Sequence, residues 1–246
     1  MNPASPQNPP AFRTIPDLVR EHARAAPQRR ALAQAAGTAV RAIDYATLDA
    51  RMDRVAAALQ RDGLQAGDAI ALCAASSIDY AAVYLGALRA GVVVAPLAPG
   101  STPEAFARML LDAGARVLFS DASAADTVGD AGHGAVARVA LDGSEAGQPL
   151  EDWLAAPGTH PAPVAIEPGW AFNIIYSSGT TGAPKGIVQS HGMRWAHVTR
   201  GARYGYGPAT VTLLSTPLYS NTTLVVLFPT LAYGGTVLLM PRFDAA

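Results

Sequence analysis

Apolar residues recur along the first half of the chain in two alternating patterns. In one, they return every three to four positions, the spacing of a helix with one buried face. This pattern covers Thr14–Ala26, Tyr45–Arg61, Asp79–Ala90 and Pro103–Ala113. In the other, short apolar runs lie between turns that contain Gly or Pro, which is typical of buried strands. These runs are Ala69–Cys73, Val92–Val94 and Arg116–Ser120. The alternation predicts βαβ units with a largely parallel sheet.

The ends of the predicted helices carry capping signals. Thr14 stands at the N-cap position of the first helix, where a hydroxyl accepts a hydrogen bond from an otherwise unpaired backbone N–H. Gly63 and Gly91 follow the second and third helices, and glycine is the residue that most readily adopts the left-handed conformation ending a helix. Two short runs around a glycine, residues 31–34 and 39–43, predict a hairpin or a pair of edge strands.

The second half of the chain begins with a weaker pattern. Residues 121–168 are rich in Ala, Gly and Asp. They predict one strand at 135–141, an aromatic anchor at Trp153, and surface connections at 143–149 and 155–168. Beyond them we predict strands at 171–175, 210–215 and 236–240, and helices at 193–204, capped by Ser190, and at 222–232. We expect a flexible tail at 1–12 and an α/β structure over 13–246, with helices flanking a layered, parallel-rich sheet.

Composition narrows the class of protein. Of 246 residues, 50% are hydrophobic and 15% charged, which excludes a disordered chain. The net charge of −1 provides no basic field, so we predict no nucleic-acid partner. No run reaches the length of a transmembrane span and the polar N-terminus resembles no signal peptide, which predicts a cytoplasmic protein without a transmembrane segment. Cys73 is the only cysteine and lies in a predicted strand, where a buried thiol is expected.

The stretch with the clearest chemistry is Asn173–His191, NIIYSSGTTGAPKGIVQSH. Glycines let backbone amides approach an anion, hydroxyls add donors, and a lysine adds a positive charge. We therefore predict a loop that binds the phosphates of ATP. Its residues are Ser177, Ser178, Gly179, Thr180, Thr181, Gly182 and Lys185.

Two other interpretations compete for this loop. A tight turn between two strands explains the glycines, but not four hydroxyls and a lysine within nine residues. A Walker-type loop requires Gly-Lys followed by Ser or Thr at the start of a helix, whereas Lys185 is followed by Gly186 and a β-branched run. The spacing therefore argues against a Walker-type loop.

The stretch YSSGTTGAPKG resembles the signature loop of the adenylate-forming enzymes, which include AMP-forming acyl-CoA synthetases and the adenylation domains of peptide synthetases. Two packing elements on its N-terminal side, at 44–48 and 88–96, are also similar to that family. The resemblance implies an α/β fold corresponding to the N-terminal part of the family's large domain. It implies a ligase that uses ATP and Mg²⁺ to convert a carboxylate to an acyl adenylate and then transfers the acyl group to CoA. Lys185 would neutralise charge on the departing pyrophosphate.

A second resemblance concerns the acyl and thiol route. Residues 216–220, Thr-Pro-Leu-Tyr-Ser, are similar to the family's Pro-Leu-Phe-His segment, which makes Tyr219 and Ser220 candidates for that tunnel. Ser220 stands where the family commonly has histidine, which removes any role for an imidazole there. An aspartate that usually holds a substrate amine is also missing, which favours a plain carboxylic acid. Leu224, Val225 and Phe228 are candidate pocket walls or, alternatively, residues of an ordinary core helix.

The remaining polar residues are interpreted as structural or solvent-exposed. The five histidines show no metal-ligand spacing, so we predict no metal site on this chain, and His191 is expected at a helix start. Arg194, Arg200 and Arg203 form a basic set on one helix, for which a solvated face is favoured over a phosphate or CoA contact.

The resemblance covers only the first half of a family member. The sequence lacks a Tyr-Gly-x-Thr-Glu element, which usually supplies the glutamate for Mg²⁺, and a Thr-Gly-Asp element for the ribose. It also lacks the small C-terminal domain with its catalytic lysine. We therefore expect a fragment that contains no complete catalytic set and is inactive alone. The alternative is a non-catalytic nucleotide-binding or interaction module that keeps the fold.

Overall fold

The computed structural model describes residues 10–36, 39–129, 136–177 and 184–240. The helices are α1 Ile15–Ala25, α2 Tyr45–Arg61, α3 Ile78–Arg89, α4 Pro103–Asp112, α5 Ala125–Val128, α6 Leu150–Trp153, α7 His191–Arg200 and α8 Asn221–Ala232. The strands are β1 Arg30–Ala36, β2 Ala39–Asp44, β3 Ala69–Cys73, β4 Val93–Pro96, β5 Ala115–Ser120, β6 Ala137–Ala140, β7 Gln148–Pro149, β8 Ala171–Ser177, β9 Lys185–Ser190, β10 Val211–Leu214 and β11 Thr236–Leu239. None of the described helices combines the length and the apolar character needed to cross a lipid bilayer.

The strands form two sheets. The larger sheet has the order β7-β6-β5-β3-β4-β8-β9 and is parallel except for the hairpin of β8 and β9. The smaller sheet has the order β10-β11-β1-β2 and is parallel except for the hairpin of β1 and β2. The predicted α/β class with a parallel-rich sheet and flanking helices is confirmed. The division into two sheets was not predicted.

The predicted N-caps are confirmed, although the helix predicted at 193–204 spans His191–Arg200. The side chains of Thr14 and Ser190 accept hydrogen bonds from the backbone N–H groups of Asp17 and Met193, which caps α1 and α7. Gly91 follows α3 with a φ of +72°, and a Cβ there would lie 3.1 Å from the Cβ of Ala66. A side chain at this position would therefore be strained by its backbone conformation and crowded by its neighbour.

The larger sheet is covered on both faces, as the fully buried strand β3 illustrates. Ile70 and Leu72 point into the large core with α2 and α3, whereas Ala71 and Cys73 point into a smaller core with α4 and α5. The expectation of a buried thiol is confirmed, and burial raises the pKa of Cys73 to about 12. At neutral pH this thiol is protonated and unreactive.

The segment between β6 and β8 is more ordered than the sequence predicted. The part predicted to be a surface connection at 143–149 contributes the short strand β7, and α6 follows it. Trp153 is buried as expected, since its Nε1 donates to Oδ2 of Asp62 at 2.7 Å and its ring stands edge-on to Phe119. The following residues pack along α2, where Nδ1 of His160 lies 2.8 Å from Oδ2 of Asp53.

Only the end of the predicted N-terminal tail belongs to the described residues. Residues 1–9 of the predicted tail lie outside the described residues. The Pro10 carbonyl accepts a hydrogen bond from Nε1 of Trp195 at 3.2 Å, so the described part of the chain begins in contact with helix α7.

Strand β8 contains an irregularity that sets the direction of its last side chains. Its pairing with β9 shifts register between Ala171 and Asn173. As a result Phe172 and Ile175, three residues apart, both face the large core, and Ile174 and Tyr176 face the small one. A regular strand would alternate without this shift. The shift therefore decides which face Tyr176 and Ser177 present at the strand end.

Candidate functional site

The predicted phosphate loop connects two antiparallel strands. Ser177 ends β8 and pairs with Lys185 at the start of β9, and both side chains are exposed. Ser178, Gly179, Thr180, Thr181 and Gly182 lie outside the described residues. A connection between paired strands fits the turn interpretation and the phosphate interpretation alike.

Tyr176 fastens the end of β8 to helix α4. Its hydroxyl donates to Oδ2 of Asp112 at 2.7 Å and lies 3.1 Å from the Met109 carbonyl oxygen. Burial, followed by the hydrogen bond to Asp112, raises the pKa of Tyr176 above its usual value. Gly186 passes close to this contact, since a Cβ there would lie 3.1 Å from Oδ2 of Asp112 and 3.2 Å from Cε1 of Tyr176. The base of the loop is thus held on a fixed support.

A cleft of about 450 Å³ opens beside this support, at the carboxyl ends of the parallel strands β4 and β8. It brings together residues that are far apart in sequence: Pro96, Leu97, Met109, Ser177, Pro184, Tyr219, Ser220 and Asn221 are among its walls. Ligands of open α/β sheets bind outside the carboxyl ends of the strands. Ser177 and the two tunnel candidates, Tyr219 and Ser220, therefore share one cleft in the expected place.

The segment that carries Tyr219 is held by hydrogen bonds on both sides. The backbone N–H of Leu218 donates to Oγ of Ser76 at 3.0 Å, and the hydroxyls of Thr216 and Thr223 lie 2.6 Å apart. Ser220 is the N-cap residue of α8, but its side chain does not cap the helix. Its Oγ lies 2.8 Å from that of Thr222 instead. The first turn of α8 thus begins at the cleft.

Helix α8 separates core from cavity. Leu224 and Phe228 are 0% and 1% exposed, so for these two the core interpretation is correct. Val225 instead lines a cavity of about 590 Å³ between α7, α8 and β10, together with Val226 and Pro229. This cavity is also lined by Tyr204, Tyr206, His197 and Arg200. It was not predicted from the sequence. Asn221, Val225 and Pro229 follow one another at intervals of four residues, so they share one face of the helix.

Arg194 corrects the prediction of a solvated basic face. Arg200 and Arg203 are exposed as expected, but Arg194 is only 1% exposed. Its guanidinium carbon lies 5.7 Å from the ring centres of both Phe172 and Phe228. The missed signal was helical spacing, because His191, Arg194 and Val198 recur at three- and four-residue intervals and form the buried face of α7.

Two further buried polar groups adjoin Arg194. His191 begins α7 as predicted and is 3% exposed, with its ring 5.0 Å from that of Phe172. Burial lowers its pKa to about 4, so the ring is neutral at pH 7. Asn173 is completely buried, and neither atom of its amide group has a hydrogen-bond partner among the described residues. Polar atoms thus concentrate between β8, α7 and α8.

Acidic groups are scarce at the cleft. The described residues that line it include no Asp or Glu. Within 10–36, 39–129, 136–177 and 184–240, no three His, Cys, Asp or Glu side chains are grouped so that they could hold a metal ion. The described walls of the cleft therefore offer no carboxylate that could bind a cation.

Comparisons with known proteins identify relatives of this chain. The sequence profile described as AMP-binding enzyme matches residues 19–246. Phosphinothricin tripeptide synthetase PhsB of Streptomyces viridochromogenes is 32% identical over 228 residues, 92% of this chain and 18% of that protein. Feruloyl-CoA synthase of an Amycolatopsis species is 32% identical over 225 residues, 89% of this chain and 44% of that protein. The chain thus spans less than half the length of both curated relatives.

Solved structures share the fold. The inhibitor-bound N-terminal domain of FACL13 from Mycobacterium tuberculosis superimposes with a TM-score of 0.79 at 24% identity, over 95% of this chain and 58% of that one. At this identity the likeness shows the architecture and carries no information on the substrate.

Proposed function

Because the chain belongs to the family of AMP-binding enzymes, we propose that the full-length gene product containing it is an AMP-forming carboxylate–CoA ligase. The proposed reaction has two steps. A substrate carboxylate oxygen attacks the α-phosphorus of ATP, which gives an acyl adenylate and pyrophosphate. The thiol of CoA then attacks the acyl carbon and AMP leaves.

The cleft at the carboxyl ends of β4 and β8 carries this proposal. It joins Ser177, the first residue of the proposed phosphate loop, to Tyr219 and Ser220 of the proposed acyl route. A reaction between ATP and a carboxylate requires both reactants to be held side by side, and holding them so supplies much of the rate enhancement. One cleft with walls from both segments meets that requirement.

Within the cleft we assign ATP to the side of residues 177–185. The hydroxyls of Ser177, Ser178, Thr180 and Thr181 and the backbone amides around Gly179 and Gly182 are proposed donors to the phosphates. Lys185 is proposed to neutralise charge on pyrophosphate as it leaves, an electrostatic contribution of the kind that lowers phosphoryl-transfer barriers. ATP is used as its Mg²⁺ complex. Since the described cleft residues include no carboxylate, we assign no protein ligand of Mg²⁺ to them.

We assign the acyl part of the substrate to the side of helix α8. The cavity along this helix is lined by Val225, Val226 and Pro229 and by two tyrosine rings. An aliphatic or aromatic acid would bury apolar surface there. The scarcity of acidic side chains supports a plain acid, because a substrate ammonium group in the cleft would find no counter-ion among the described residues.

A second candidate is activation of an amino acid for transfer to a carrier protein. It is favoured by the kind of relative found, since a peptide synthetase and an L-proline ligase acting on a prolyl carrier protein are 32% and 30% identical to this chain. The described residues of the cleft disfavour it, because they include no acidic side chain that could pair with the ammonium group of an amino acid.

The test is carboxylate-dependent exchange between ATP and labelled pyrophosphate, with the full-length gene product and a panel of aliphatic, aromatic and amino acids. Products formed with CoA are then identified by mass spectrometry. We expect exchange with plain acids and an acyl-CoA product. Exchange with amino acids alone would establish the second candidate, and tight ATP binding without exchange would establish a non-catalytic nucleotide-binding module.

We also propose that the 246-residue chain does not complete the reaction alone. Its sequence contains neither the Tyr-Gly-x-Thr-Glu element nor the Thr-Gly-Asp element of the family. The same exchange assay on this chain tests the claim directly. Exchange by the chain at the rate of the full-length gene product would contradict it.

A further inference from the structure

We propose that the acid substrate carries a second carboxylate at the end remote from the reacting one, and that Arg200 and His197 bind it in the cavity between α7 and α8. The inference rests on the proposed function, which it deepens by naming the class of acid. The basic wall of this cavity then selects a dicarboxylic acid over a monocarboxylic acid of equal length.

The cavity follows two helices that lie side by side and run in the same direction. Near their first residues, Nη2 of Arg194 in α7 lies 2.8 Å from Oδ1 of Asn221 in α8. Near their last residues, a Cβ on Gly201 would lie 3.4 Å from Cβ of Pro229. Asn221 lines the cleft and Pro229 lines the cavity, and their separation in sequence corresponds to about 12 Å of helix. The cavity therefore extends away from the cleft, towards the end of α7.

The two long walls of the cavity differ in chemistry. Helix α8 contributes the apolar side chains of Val225, Val226 and Pro229. Helix α7 contributes His197 and Arg200, whose spacing of three positions places them on one helical face. The described residues that line the cavity include no Asp or Glu. A ligand that matches both walls has an apolar body and a negative charge.

Arg200 lies at the end of the cavity remote from the cleft. It directly precedes Gly201, which contacts the last turn of α8, and its side chain is exposed where the cavity meets solvent. Within the described part of the chain, no acidic side chain forms an ion pair with Arg200. A guanidinium group can bind a carboxylate through two parallel hydrogen bonds, so Arg200 is suited to an anionic ligand.

His197 adds a hydrogen-bond donor to the same wall. Burial, followed by the charges of Arg194 and Arg200, lowers its pKa below the ordinary value, so the ring is neutral at pH 7 and has one N–H group. Nδ1 of His197 has no hydrogen-bond partner among the described residues, so no such partner determines which nitrogen carries the proton. The influence of both guanidinium groups on this ring shows that positive charge accumulates here, and a bound anion would offset it.

A dicarboxylic acid fits this cavity better than a monocarboxylic acid or an amino acid. A monocarboxylic acid of the same length would place its apolar end against Arg200 and His197, which would lose water without gaining a partner. An ammonium group at that end would be repelled by the guanidinium. A second carboxylate pairs with Arg200, while the methylene groups or the ring between the two carboxylates bury apolar surface against Val225 and Pro229.

The experiment measures pyrophosphate exchange by the full-length gene product with matched pairs of acids. Octanedioate is compared with octanoate, and 4-(2-carboxyethyl)benzoate with 3-phenylpropanoate. In addition, 8-aminooctanoate carries the opposite charge at its far end. Arg200→Met keeps an unbranched side chain but removes the charge, and Arg200→Glu reverses it. Arg203→Met is the matched control, because Arg203 is also exposed but does not line the cavity. Calorimetric titration with each acid measures binding without turnover.

In the wild type we expect kcat/KM for at least one diacid to exceed that for its monoacid about tenfold or more, as for one charge-assisted hydrogen bond. Arg200→Met should abolish this preference by raising KM for the diacid, with kcat and KM for the monoacid unchanged. Arg200→Glu should favour 8-aminooctanoate over octanedioate, and Arg203→Met should behave as the wild type. Equal use of both members of each pair by the wild type would overturn the inference, as would equal effects of Arg200→Met on both members.

Failure of the proposed function gives a different result. If no plain acid supports exchange, the proposed function fails and the titrations alone decide the inference. Tighter binding of a diacid to the wild type than to Arg200→Met would then support the second carboxylate site. Equal binding to the two proteins, or no binding to the wild type, would overturn it.

Discussion

The hydroxyl of Tyr176 donates to Oδ2 of Asp112 across 2.7 Å and ties the end of strand β8 to helix α4. Since β8 ends at Ser177, one residue further on, this bond fixes the point from which the proposed phosphate loop departs. We expect Tyr176→Phe to lower the free energy of unfolding by about 0.5 to 1.5 kcal/mol, the usual net value of such a bond. Urea denaturation of this variant, of Asp112→Ala and of the double variant measures their coupling.

The matched control for that cycle is Tyr204→Phe, which removes the hydroxyl of a tyrosine that is 78% exposed. It should change stability by less than about 0.5 kcal/mol. Strict additivity of Tyr176→Phe and Asp112→Ala would show that the two side chains do not interact.

A side chain at Gly186 is predicted to crowd its neighbours. A Cβ at this position would lie 3.0 Å from Cγ2 of Ile174 and 3.1 Å from Oδ2 of Asp112. Gly186→Ala should therefore destabilise the chain by about 1 to 3 kcal/mol, as overpacking does, and should weaken ATP binding by displacing the base of the loop. Gly169→Ala is the control, because a Cβ there would meet no atom within 4 Å. Equal melting temperatures for the two variants would refute the close approach.

The amine of Lys185 permits a chemical test of its proposed contact with ATP. ATP at saturating concentration should slow acetylation of Lys185 by acetic anhydride in the full-length gene product, as read by mass spectrometry of the peptide that carries it. Acetylation of the N-terminal amine is the internal reference and should be unaffected. If ATP protects both amines or neither, Lys185 does not contact the nucleotide.

Substitution of the same lysine should separate function from stability. We expect Lys185→Gln to lower kcat/KM for pyrophosphate exchange about tenfold or more, because a charge-assisted hydrogen bond is lost. Because Lys185 is exposed, its free energy of unfolding should change by less than about 0.5 kcal/mol. Arg203→Gln, another exposed cation, should leave both quantities unchanged.

Because His191 is buried, we expect the folded protein to lose stability in mild acid. Burial lowers its pKa from 6.5 to about 4, so between these values the unfolded chain binds a proton that the folded chain does not. The free energy of unfolding therefore rises with pH through this window, and acidification from pH 6.5 to 4 removes up to about 3 kcal/mol. Denaturation curves of His191→Leu should show a shallower dependence on pH than those of the wild type. In His160→Gln, whose histidine side chain is 80% exposed, the dependence should persist.

Local features of the fold could be predicted from the sequence because their causes are local. The predicted bounds of α2 and β3 agree with the structure residue for residue. Their signals are local, since α2 has an apolar periodicity and is followed closely by Gly63, and β3 is a short continuous apolar run. Helix α6 was not predicted because four residues form little more than one helical turn, too short for a periodic pattern to repeat. The two-sheet arrangement was missed because it depends on which strands pair across the whole chain.

Part of the candidate site could also be predicted, because short motifs in the sequence mark it. Ser177, Tyr219 and Ser220 were marked by motifs, and the structure brings them to one cleft. The hydrogen bond between Arg194 and Asn221 was not predicted, because the two residues are 27 positions apart in sequence. Arg194 was in turn assigned to solvent because arginine is usually exposed. Neither residue carries a short-range signal of the partnership.

Because β1 pairs with β11, the smaller sheet cannot be completed until the end of the chain has been synthesised. Leu32 pairs with Val237, 205 residues later in the chain. At about 5 to 20 residues per second, a ribosome needs about 10 to 40 s to deliver the second partner after the first. During this interval the hairpin of β1 and β2 has emerged with an unpaired edge that invites pairing with other chains. The nascent protein is therefore most vulnerable to aggregation before β11 is made, and we expect a chaperone to engage its first fifty residues during that time.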